Sequence, residues 1–462
     1  MKKIMNWLLL FMSMTMVAQS EFQGQWVGAL NVQGIKLRVV FNVTQTESGF
    51  STTMDSPDQG VKDIPFPTTE YIQPNVKFEI PGAIEYTGVL SGDKIEGTFK
   101  QAGMSVPLEL TKNTSGEDVL KRPQEPKKPY PYHSEDITFK NQKQNIELHG
   151  TLTLPDTKGT YPAVVLISGS GAQNRDSELL GHKPFLIWAD YLTRNGIAVL
   201  RFDDRIYNSS ESMQLNSTIE DFATDVESAV NYLKSRKEIN KRKIGLIGHS
   251  EGGVVAPMVA ATVPSDVNFI VLLAGSGVSG GELLLLQQKL IAKASNVPDV
   301  YIQRNFEMHT KLFGAMNQIN DEAQLKTQIE KILNEFTSDS EVPQGMTKEE
   351  LISLSSQQYL SKWMLNFIRH NPAVALKKVK CPVLAINGEK DLQVPATENL
   401  TAIKNTLEKS GNKKVTVKSY PNLNHLFQEC ETGLPQEYSI IEQTIAPEVL
   451  EDVTQWIKTQ TK

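Results

Sequence analysis

The chain has 462 residues, a mass of 51.5 kDa and a formal net charge of −6. This length exceeds that of one ordinary domain and predicts about two or three. A hydrophobic content of 39% supplies enough apolar side chains for a sizeable core, which excludes wholesale disorder. The acidic balance excludes a protein whose dominant surface binds nucleic acid. Two cysteines, Cys381 and Cys430, are too few for a disulfide framework or a Cys-based zinc site.

Residues 1–20 have the pattern of a secretory signal peptide. Lys2 and Lys3 precede an apolar run at 5–17, and Ala18 and Ser20 supply the small residues of a cleavage site. The competing interpretation, a membrane anchor, requires roughly 20 consecutive apolar residues. The run is shorter than that, and no later stretch reaches spanning length. We therefore expect export to the periplasm or the extracellular space, with no integral membrane segment after the signal is removed.

Residues 21–112 have the pattern of a small all-β domain. Leu37, Val39, Phe41 and Val43 alternate with mainly polar residues, which is the period of a half-buried strand. Turn-forming residues recur along this region. Further strands are expected at 76–80, 83–90, 94–100 and 106–110. Many short strands over this length favour a small barrel or a curled sheet.

Three aromatic residues of this domain, Trp26, Phe78 and Tyr86, have two possible roles. They could line a cup that holds a ligand, or they could pack the core of the domain. Core packing is favoured, because no cluster of titratable residues that looks catalytic accompanies them.

A proline-rich linker at 113–132 leads into a second domain at 133–462. In the second domain, strand-like runs alternate with amphipathic helical patterns at 219–234 and 253–261. Continuous apolar runs are typical of parallel strands that are buried on both faces. Such runs occur at 163–167, 197–202, 244–247, 269–274 and 383–386. The alternation predicts a doubly wound, mostly parallel sheet of the α/β class.

The alternation breaks at about 280–370, where the sequence becomes rich in amphipathic helical patterns. No linker flanks this segment, so a helical cap inserted into the α/β domain is favoured over a third independent domain. Apolar residues of the cap, including 283–286, Phe306, Met308, Leu312 and Phe313, are expected to cover the mouth of a pocket. The competing interpretation is that they only pack the cap on itself.

The motif Gly-His-Ser-Glu-Gly at 248–252 lies between a predicted strand and a predicted helix. Gly-x-Ser-x-Gly in this setting is typical of a nucleophile elbow, a sharp turn that exposes a serine hydroxyl. The glycines let the backbone pass closely, and the helix that follows aims free N–H groups at developing negative charge. Ser250 is therefore the predicted nucleophile.

A nucleophilic serine needs a histidine base and a carboxylate that orients the base, here expected in the chain order Ser, Asp or Glu, His. Three histidines follow the elbow. His309 and His370 fall in the cap or beside it, whereas His425 follows the last predicted strand at 415–420. Asp391 follows the preceding strand and is the predicted acid, with Glu389 as the alternative.

An oxyanion hole requires two backbone N–H donors. One is expected from Glu251, which directly follows the nucleophile. The other is expected from the Ser-Gly-Ser-Gly loop at 168–171, where Ser170 is favoured and Gly171 is the alternative. An ordinary glycine turn is the competing interpretation of that loop. This chemistry needs no metal and no cofactor.

Five separated motifs carry a family resemblance. They are Gly-Ser-Gly-Ala-Gln-Asn-Arg-Asp at 169–176, Arg-Phe-Asp-Asp-Arg at 201–205, Gly-His-Ser-Glu-Gly-Gly at 248–253, Cys-Pro-Val-Leu-Ala-Ile-Asn-Gly-Glu-Lys-Asp at 381–391 and Asn-His-Leu-Phe-Gln at 424–428. In this order, residues 133–462 resemble the exported bacterial α/β-hydrolases related to esterase D, which are often labelled prolyl-oligopeptidase-like peptidases. The resemblance implies hydrolysis of carboxylic esters with short acyl chains, and Ser250, Asp391 and His425 match the family triad.

Charged residues at 175–176 and 203–205 belong to two of these motifs. They could bind a charged group of a substrate. An ion-pair network that holds the loops beneath the active site is favoured.

The sequence therefore predicts a serine carboxylesterase that acts on a small-molecule ester and has no nucleic-acid partner. A peptidase of the same fold would need an acidic or polar anchor for the free N-terminus of a peptide, and none is located. A non-catalytic binding protein is disfavoured, because Ser250, Asp391 and His425 all occur in the expected order.

Overall fold

The computed structural model describes residues 21–32, 35–47, 49–57, 61–101, 103–114, 121–343 and 345–462. The predicted signal peptide at 1–20 lies outside these residues. The chain forms two compact units. The first ends at Pro123 and includes Leu179–Gly181, and the second comprises Gln124–Glu178 and His182–Lys462. The division falls within the predicted proline-rich linker.

The first unit is a single antiparallel sheet that nearly closes on itself. Its strands are β1 (Gly24–Val32), β2 (Ile35–Thr46), β3 (Gly49–Ser56), β4 (Val61–Phe66), β5 (Thr68–Ile72), β6 (Asn75–Ile80), β7 (Ile84–Ser91), β8 (Lys94–Gln101) and β9 (Met104–Lys112). The strand order is β4-β3-β2-β1-β9-β8-β7-β6-β5. The two outer strands, β4 and β5, are separated only by Pro67 along the chain, so the chain connection brings the two ends of the sheet together. The prediction of an all-β domain is confirmed.

Aromatic side chains fill the interior of this sheet. Trp26, Phe78 and Tyr86 are fully buried, and the rings of Phe41 and Phe78 stack with their centroids 4.8 Å apart. The Trp26 indole N–H donates to the carbonyl oxygen of Phe22 at 2.8 Å, and the Tyr86 hydroxyl donates to the carbonyl oxygen of Ile95 at 3.1 Å. These rings are core residues rather than the lining of a cup.

The second unit contains a sheet of eight strands in its described residues. They are β10 (His133–Asn141), β11 (Ile146–Leu154), β12 (Tyr161–Ile167), β13 (Ala198–Phe202), β14 (Ile239–His249), β15 (Phe269–Leu273), β16 (Val383–Gly388) and β17 (Val415–Tyr420). The order is β10-β11-β13-β12-β14-β15-β16-β17. The neighbouring strands from β13 to β17 in this order pair in parallel. At the other edge, β10 pairs with β11, and β11 with β13, in antiparallel fashion.

Helices cover both faces of this sheet. Outside the cap they are Pro184–Arg194, Glu211–Asn216, Ile219–Ser235, Gly252–Thr262, Ala373–Leu376, Ala396–Lys409 and Pro447–Gln460, with a short 3₁₀ helix at Pro435–Glu437. Alternate residues of β12 face opposite layers: Val165 packs with Val226 of one helix, and Val164 packs in the layer of Trp188 and Val453. Two-sided burial explains why these strands are continuous apolar runs in the sequence. The predicted doubly wound sheet is confirmed.

The cap lies between β15 and β16 along the chain. Its described helices are Gly280–Ala294, Asp299–Gln318, Glu322–Phe336, Lys348–Leu360 and Lys362–Arg369, with a 3₁₀ helix at Asp339–Glu341. Leu312 and Phe313 are buried in a core made by the cap helices themselves. The expectation that these two side chains cover a pocket mouth is therefore wrong. Leu283 and Trp363, in contrast, pack with the core of the α/β sheet.

None of the described helices has both the length and the apolar character needed to cross a bilayer.

Two glycines should respond in opposite ways to substitution by alanine. A methyl group at Gly97 would lie 2.7 Å from ring carbon Cζ of Tyr86 and 2.4 Å from the carbonyl oxygen of Thr87, whereas one at Gly314 meets nothing within 4 Å. We expect Gly97→Ala to lower the free energy of unfolding by about 1–3 kcal/mol. Gly314→Ala, in a cap helix, should raise it by roughly 0.5–1 kcal/mol. Scanning calorimetry checks both, and an unchanged Gly97→Ala transition would contradict the described Tyr86 packing.

Candidate active site

Ser250 lies on a sharp turn between β14 and the helix Gly252–Thr262. Its backbone has a left-handed φ of 55°, and its N–H donates to the carbonyl oxygen of Leu273 at 2.9 Å. A methyl group at Gly248 would lie 2.0 Å from the carbonyl oxygen of Gly252. The turn therefore exists only because glycine occupies this position, and a non-glycine residue in the left-handed region is a strained state typical of functional sites.

Asp391 and His425 are brought together at the ends of adjacent strands, β16 and β17. The Nδ1 atom of His425 lies 2.8 Å from Oδ2 of Asp391, and both side chains are buried. The other carboxylate oxygen, Oδ1, accepts the backbone N–H groups of Gln393 and Val394, each at 2.8 Å. With Nδ1 donating to the carboxylate, Nε2 is the imidazole nitrogen that can accept a proton.

The alternative acid and the other histidines lie elsewhere. Glu389 is exposed and accepts a hydrogen bond from the Ser419 hydroxyl at 2.7 Å. His309 lies on a cap helix, with Nδ1 2.8 Å from the carbonyl oxygen of Asn305 and Nε2 3.1 Å from the Tyr359 hydroxyl. His370 follows the last cap helix. Of the weighed acids and bases, the structure pairs only Asp391 with His425.

The loop that carries His425 is held by a buried amide pair that sequence reasoning did not assign. Asn424 Oδ1 accepts the N–H groups of Leu426 and Gln428, each at 3.0 Å, and Asn424 Nδ2 donates to the Gln428 side chain at 3.0 Å. Phe427 adopts a φ of 61° within this turn. The signal in the sequence is the motif at 424–428, in which both amides flank the histidine.

His249 links the nucleophile turn to the base loop. Its Nε2 atom lies 3.0 Å from the carbonyl oxygen of His425, and the two imidazole centroids are 4.8 Å apart. Burial, with a smaller contribution from His425, lowers the pKa of His249 to about 3, so its ring is neutral. His249 therefore acts as a positioning residue through a hydrogen bond to the backbone.

The loop after β12 lies against the nucleophile. A methyl group built on Gly169 would be 3.2 Å from Cβ of Ser250, and one on Gly252 would be 2.2 Å from the carbonyl oxygen of Ile167. Gly171 has a left-handed φ of 93°. The predicted donors of the oxyanion hole, Glu251 and Ser170 or Gly171, thus belong to two segments that meet at Ser250.

The Glu251 side chain has an environment that the sequence did not reveal. Its carboxyl group is buried and accepts the indole N–H of Trp363, a cap residue, at 3.1 Å. It also interacts with the Ser170 side chain. Burial raises the pKa of Glu251 to about 7, and these hydrogen bonds only partly offset the rise.

A second acid, the partly buried Asp204, lies beneath the loop after β12. Asp204 accepts the Ser168 hydroxyl at 2.6 Å and the backbone N–H of Gln173 at 3.1 Å. Burial raises the pKa of Asp204 to about 8. Asp204 and Glu251 both line a small cavity of about 20 Å³. Two carboxyl groups with raised pKa values therefore line the same cavity beside the candidate site.

The charged residues near these loops form ion pairs. Arg175 pairs with Asp203 at 2.6 Å, and Arg205 pairs with the buried Asp225 at 2.7 Å. Arg201 pairs with Asp176. The ion-pair network is therefore the interpretation that the structure supports, rather than a site for a charged substrate.

Within the described ranges, no group of three or more His, Cys, Asp and Glu side chains could hold a metal ion. Cys381 and Cys430 are free thiols.

Residues 185–431, more than half of the chain, match the profile of the family Hydrolase_4, described as serine aminopeptidase, S33. The chain belongs to this family. It is similar to esterase EstD of Thermotoga maritima, with 25% identity over 332 residues that cover 71% of this chain and 68% of that protein. The predicted resemblance to esterase D relatives is thus confirmed. The predicted α/β-hydrolase fold is also confirmed, and so is the prediction that the protein is a hydrolase of the serine carboxylesterase type.

Two further similarities are weaker. Acyl-coenzyme A thioesterase 1 of Mus musculus is 28% identical over 166 residues, which cover 36% of this chain and 34% of the thioesterase. A solved structure of an esterase from Pyrococcus furiosus aligns with a TM-score of 0.43 and 16% identity, covering 75% of this chain and 100% of that chain.

The buried carboxyl of Glu251 should make stability depend on pH. Its folded pKa lies above the value of an exposed glutamate, so the folded state holds a proton that the unfolded state releases between about pH 4.5 and 7. Stability from this group is present at low pH and is lost as the pH rises through that window. Between pH 5 and pH 8.5 the free energy of unfolding of Glu251→Gln should therefore rise by about 2.5 kcal/mol relative to that of the wild type.

Urea unfolding at the two pH values measures this gain. Trp363→Phe removes a hydrogen bond that lowers the pKa of Glu251. In a chain that keeps Glu251, this substitution should therefore increase the fall in the free energy of unfolding between the two pH values. A Glu251→Gln protein that follows the wild type at both pH values would show that this carboxyl is not buried as described.

Proposed function

We propose that the protein is an exported serine esterase that hydrolyses carboxylic esters with short acyl chains through an acyl-enzyme on Ser250. The observation that carries the proposal is the 2.8 Å contact between His425 Nδ1 and Asp391 Oδ2. These residues follow β17 and β16, in the same sheet as β14, which leads into the Ser250 turn. Membership of the Hydrolase_4 family and the similarity to esterase EstD support it.

The proposed reaction begins with Ser250. His425 Nε2 takes the proton from the Ser250 hydroxyl as its oxygen attacks the ester carbonyl. Asp391 orients the imidazole and stabilises the imidazolium that forms. His425 then gives the proton to the leaving alcohol, and the acyl group stays on Ser250. Water, activated by the same nitrogen, attacks the acyl-enzyme and releases the carboxylic acid.

Negative charge develops on the carbonyl oxygen in both steps. The backbone N–H of Glu251, at the start of a helix, is one proposed donor to this oxyanion. The second comes from Ser170 or Gly171 on the neighbouring loop. Neutral His249 holds the base loop beside the turn through its contact with the His425 carbonyl oxygen at 3.0 Å. His425 carries the proton and the backbone N–H groups stabilise the oxyanion, so the proposed cycle needs no metal or cofactor.

The preference for short acyl chains is proposed from the cap. Trp363 of the last cap helix contacts Glu251 at 3.1 Å, so this helix lies beside the nucleophile. Leu283 and Leu284 of the first cap helix pack with the core of the sheet. A close apolar roof favours each added methylene by about 0.8 kcal/mol only while there is room for it.

A serine peptidase is the second candidate, because the matched family is described as serine aminopeptidase. An aminopeptidase must neutralise the free amine of its substrate. The carboxyl of Glu251 is the acid next to the nucleophile, but Trp363 and Ser170 already occupy it. This occupied carboxyl favours the esterase.

Export is proposed from the signal pattern at 1–20. Protein recovered from the periplasm or the medium should begin at Glu21 by N-terminal sequencing, and a retained Met1 would contradict the proposal.

A substrate panel tests the esterase. Mature protein should hydrolyse p-nitrophenyl esters with kcat/KM rising from acetyl to butyryl or hexanoyl and falling for long chains. Peptide p-nitroanilides and acyl thioesters should be poor substrates. Ser250→Ala should lose ester hydrolysis and labelling by a fluorophosphonate while keeping the wild-type circular dichroism spectrum.

Each arm of the panel can overturn a separate part of the proposal. Labelling that persists in Ser250→Ala would place the nucleophile at another serine. Peptide anilides that are cleaved faster than esters would establish the peptidase. An unchanged chain-length profile in Leu284→Ala would show that this cap residue does not set specificity.

The proposed acid can be distinguished from its neighbour by a matched pair of substitutions. Asp391→Asn should lower kcat by about 10⁴, because the imidazole loses the carboxylate that sets its tautomer. Glu389→Gln, two residues away and exposed, should keep kcat within about twofold. Steady-state kinetics with p-nitrophenyl butyrate measures both, and the reverse pattern would assign the role to Glu389.

A further inference from the structure

The first unit encloses an apolar cavity at one end of its sheet. The cavity has a volume of about 260 Å³. Its lining is mainly aliphatic and includes Leu30, Leu37, Val39, Met54, Ile64 and Val106. Leu30 and Leu37 face each other where the β1–β2 hairpin ends, and Gln101 and Met104 do so where β8 meets β9. The cavity therefore lies at the hairpin end of the nearly closed sheet.

The half of the sheet interior away from this cavity is filled by packed aromatic rings. Phe41 follows Val39 by two residues on β2, so both side chains face inward. The Phe41 ring stacks on Tyr86 with centroids 5.6 Å apart and on Phe78 at 4.8 Å. These buried rings belong to the packed core and are not among the residues that line the cavity, which is a separate apolar cup at the hairpin end.

The lining suits an apolar occupant. Among the described residues that line the cavity, none carries a charge, and the polar members are Ser56 and Gln101. A buried water requires roughly two to four polar partners, whereas an apolar cavity of about 150 Å³ in another protein stays dry and binds benzene. An empty cup of this size would leave its aliphatic side chains without contacts on one side.

The rim has a different character from the interior. Met104 is 46% exposed and Val61 is 41% exposed, so both present apolar surface to solvent at the entrance. Gln101 is also exposed and offers an amide that can both donate and accept. A charged head group would find no opposite charge among the lining residues that the structure describes, and burying an unpaired charge is costly.

We propose that this cup binds one linear alkyl chain of about ten carbons that ends in an uncharged polar group, such as an alcohol, at the rim. The length follows from volume: benzene in about 150 Å³ corresponds to roughly 25 Å³ per carbon. The cavity belongs wholly to the first unit, so the proposal does not depend on the activity proposed for the second.

Isothermal titration calorimetry of 1-alkanols into the full mature chain tests the proposal. Affinity should rise about fourfold per methylene from hexanol and level off near decanol, because further carbons remain in water. Decanoate should bind more weakly than decanol, since its carboxylate must be desolvated or held outside.

A matched pair of substitutions locates the site. Val106→Phe places a ring in the cup and should weaken decanol binding at least tenfold. Val89→Phe adds the same ring at a position of the same sheet that is 47% exposed, and should leave binding unchanged. Val106→Ala enlarges the cup and should move the plateau about two carbons longer, a change that an unfolded sheet cannot produce. Ester hydrolysis should be unaffected in all three.

Three results would overturn the proposal. The first is the absence of saturable alkanol binding by the wild type. The second is a decanol affinity of Val106→Phe equal to that of the wild type, together with an affinity of Val106→Ala that levels off at the same alkanol length as in the wild type. This result would place the bound alkyl chain elsewhere. The third is tighter binding of decanoate than of decanol, which would reject an uncharged head group.

Discussion

The geometry of the candidate site depends on how closely three backbone segments pass one another at Ser250. The left-handed turn at Ser250 brings Gly248 against Gly252, and Gly252 against the carbonyl oxygen of Ile167 at the end of β12. No side chain fits in either gap. The loop after β12 is therefore placed by the same contacts that form the turn, and the segments that carry the proposed oxyanion donors cannot shift independently.

Three buried acids near the turn differ in the donors that face their carboxyl groups. Asp391 receives hydrogen bonds from two backbone N–H groups and from His425. Asp225 pairs with Arg205. Glu251 has two neutral partners, Trp363 and Ser170, so desolvation prevails and its pKa rises to about 7. Burial also raises the pKa of Asp225, and the ion pair with Arg205 only partly offsets the rise, so desolvation outweighs the partners at both positions.

Much of the fold could be read from the sequence because burial leaves a direct record there. Strands covered on both faces are continuous apolar runs, and the order of strands then places Asp391 and His425 at neighbouring strand ends. Partners far apart in the chain leave no such record. The hydrogen bond from Trp363 to Glu251 joins residues 112 positions apart, and nothing local marks either side chain. The error over Leu312 has the same cause, since an amphipathic pattern shows that a face is buried but not what buries it.

The contact between Trp363 and Glu251 also relates the cap to the chemistry. Glu251 contributes its backbone to the turn and its side chain to a contact with the last cap helix. Moving that helix away would leave the indole N–H or the carboxyl without its partner, and a buried polar group that loses its partner costs about 1–3 kcal/mol. The cap is further tied to the sheet by Leu283, whose side chain lies in the core of the second unit. The first and last helices of the cap therefore pack against the hydrolase core. Leu312 and Phe313, in contrast, pack only within the core of the cap itself.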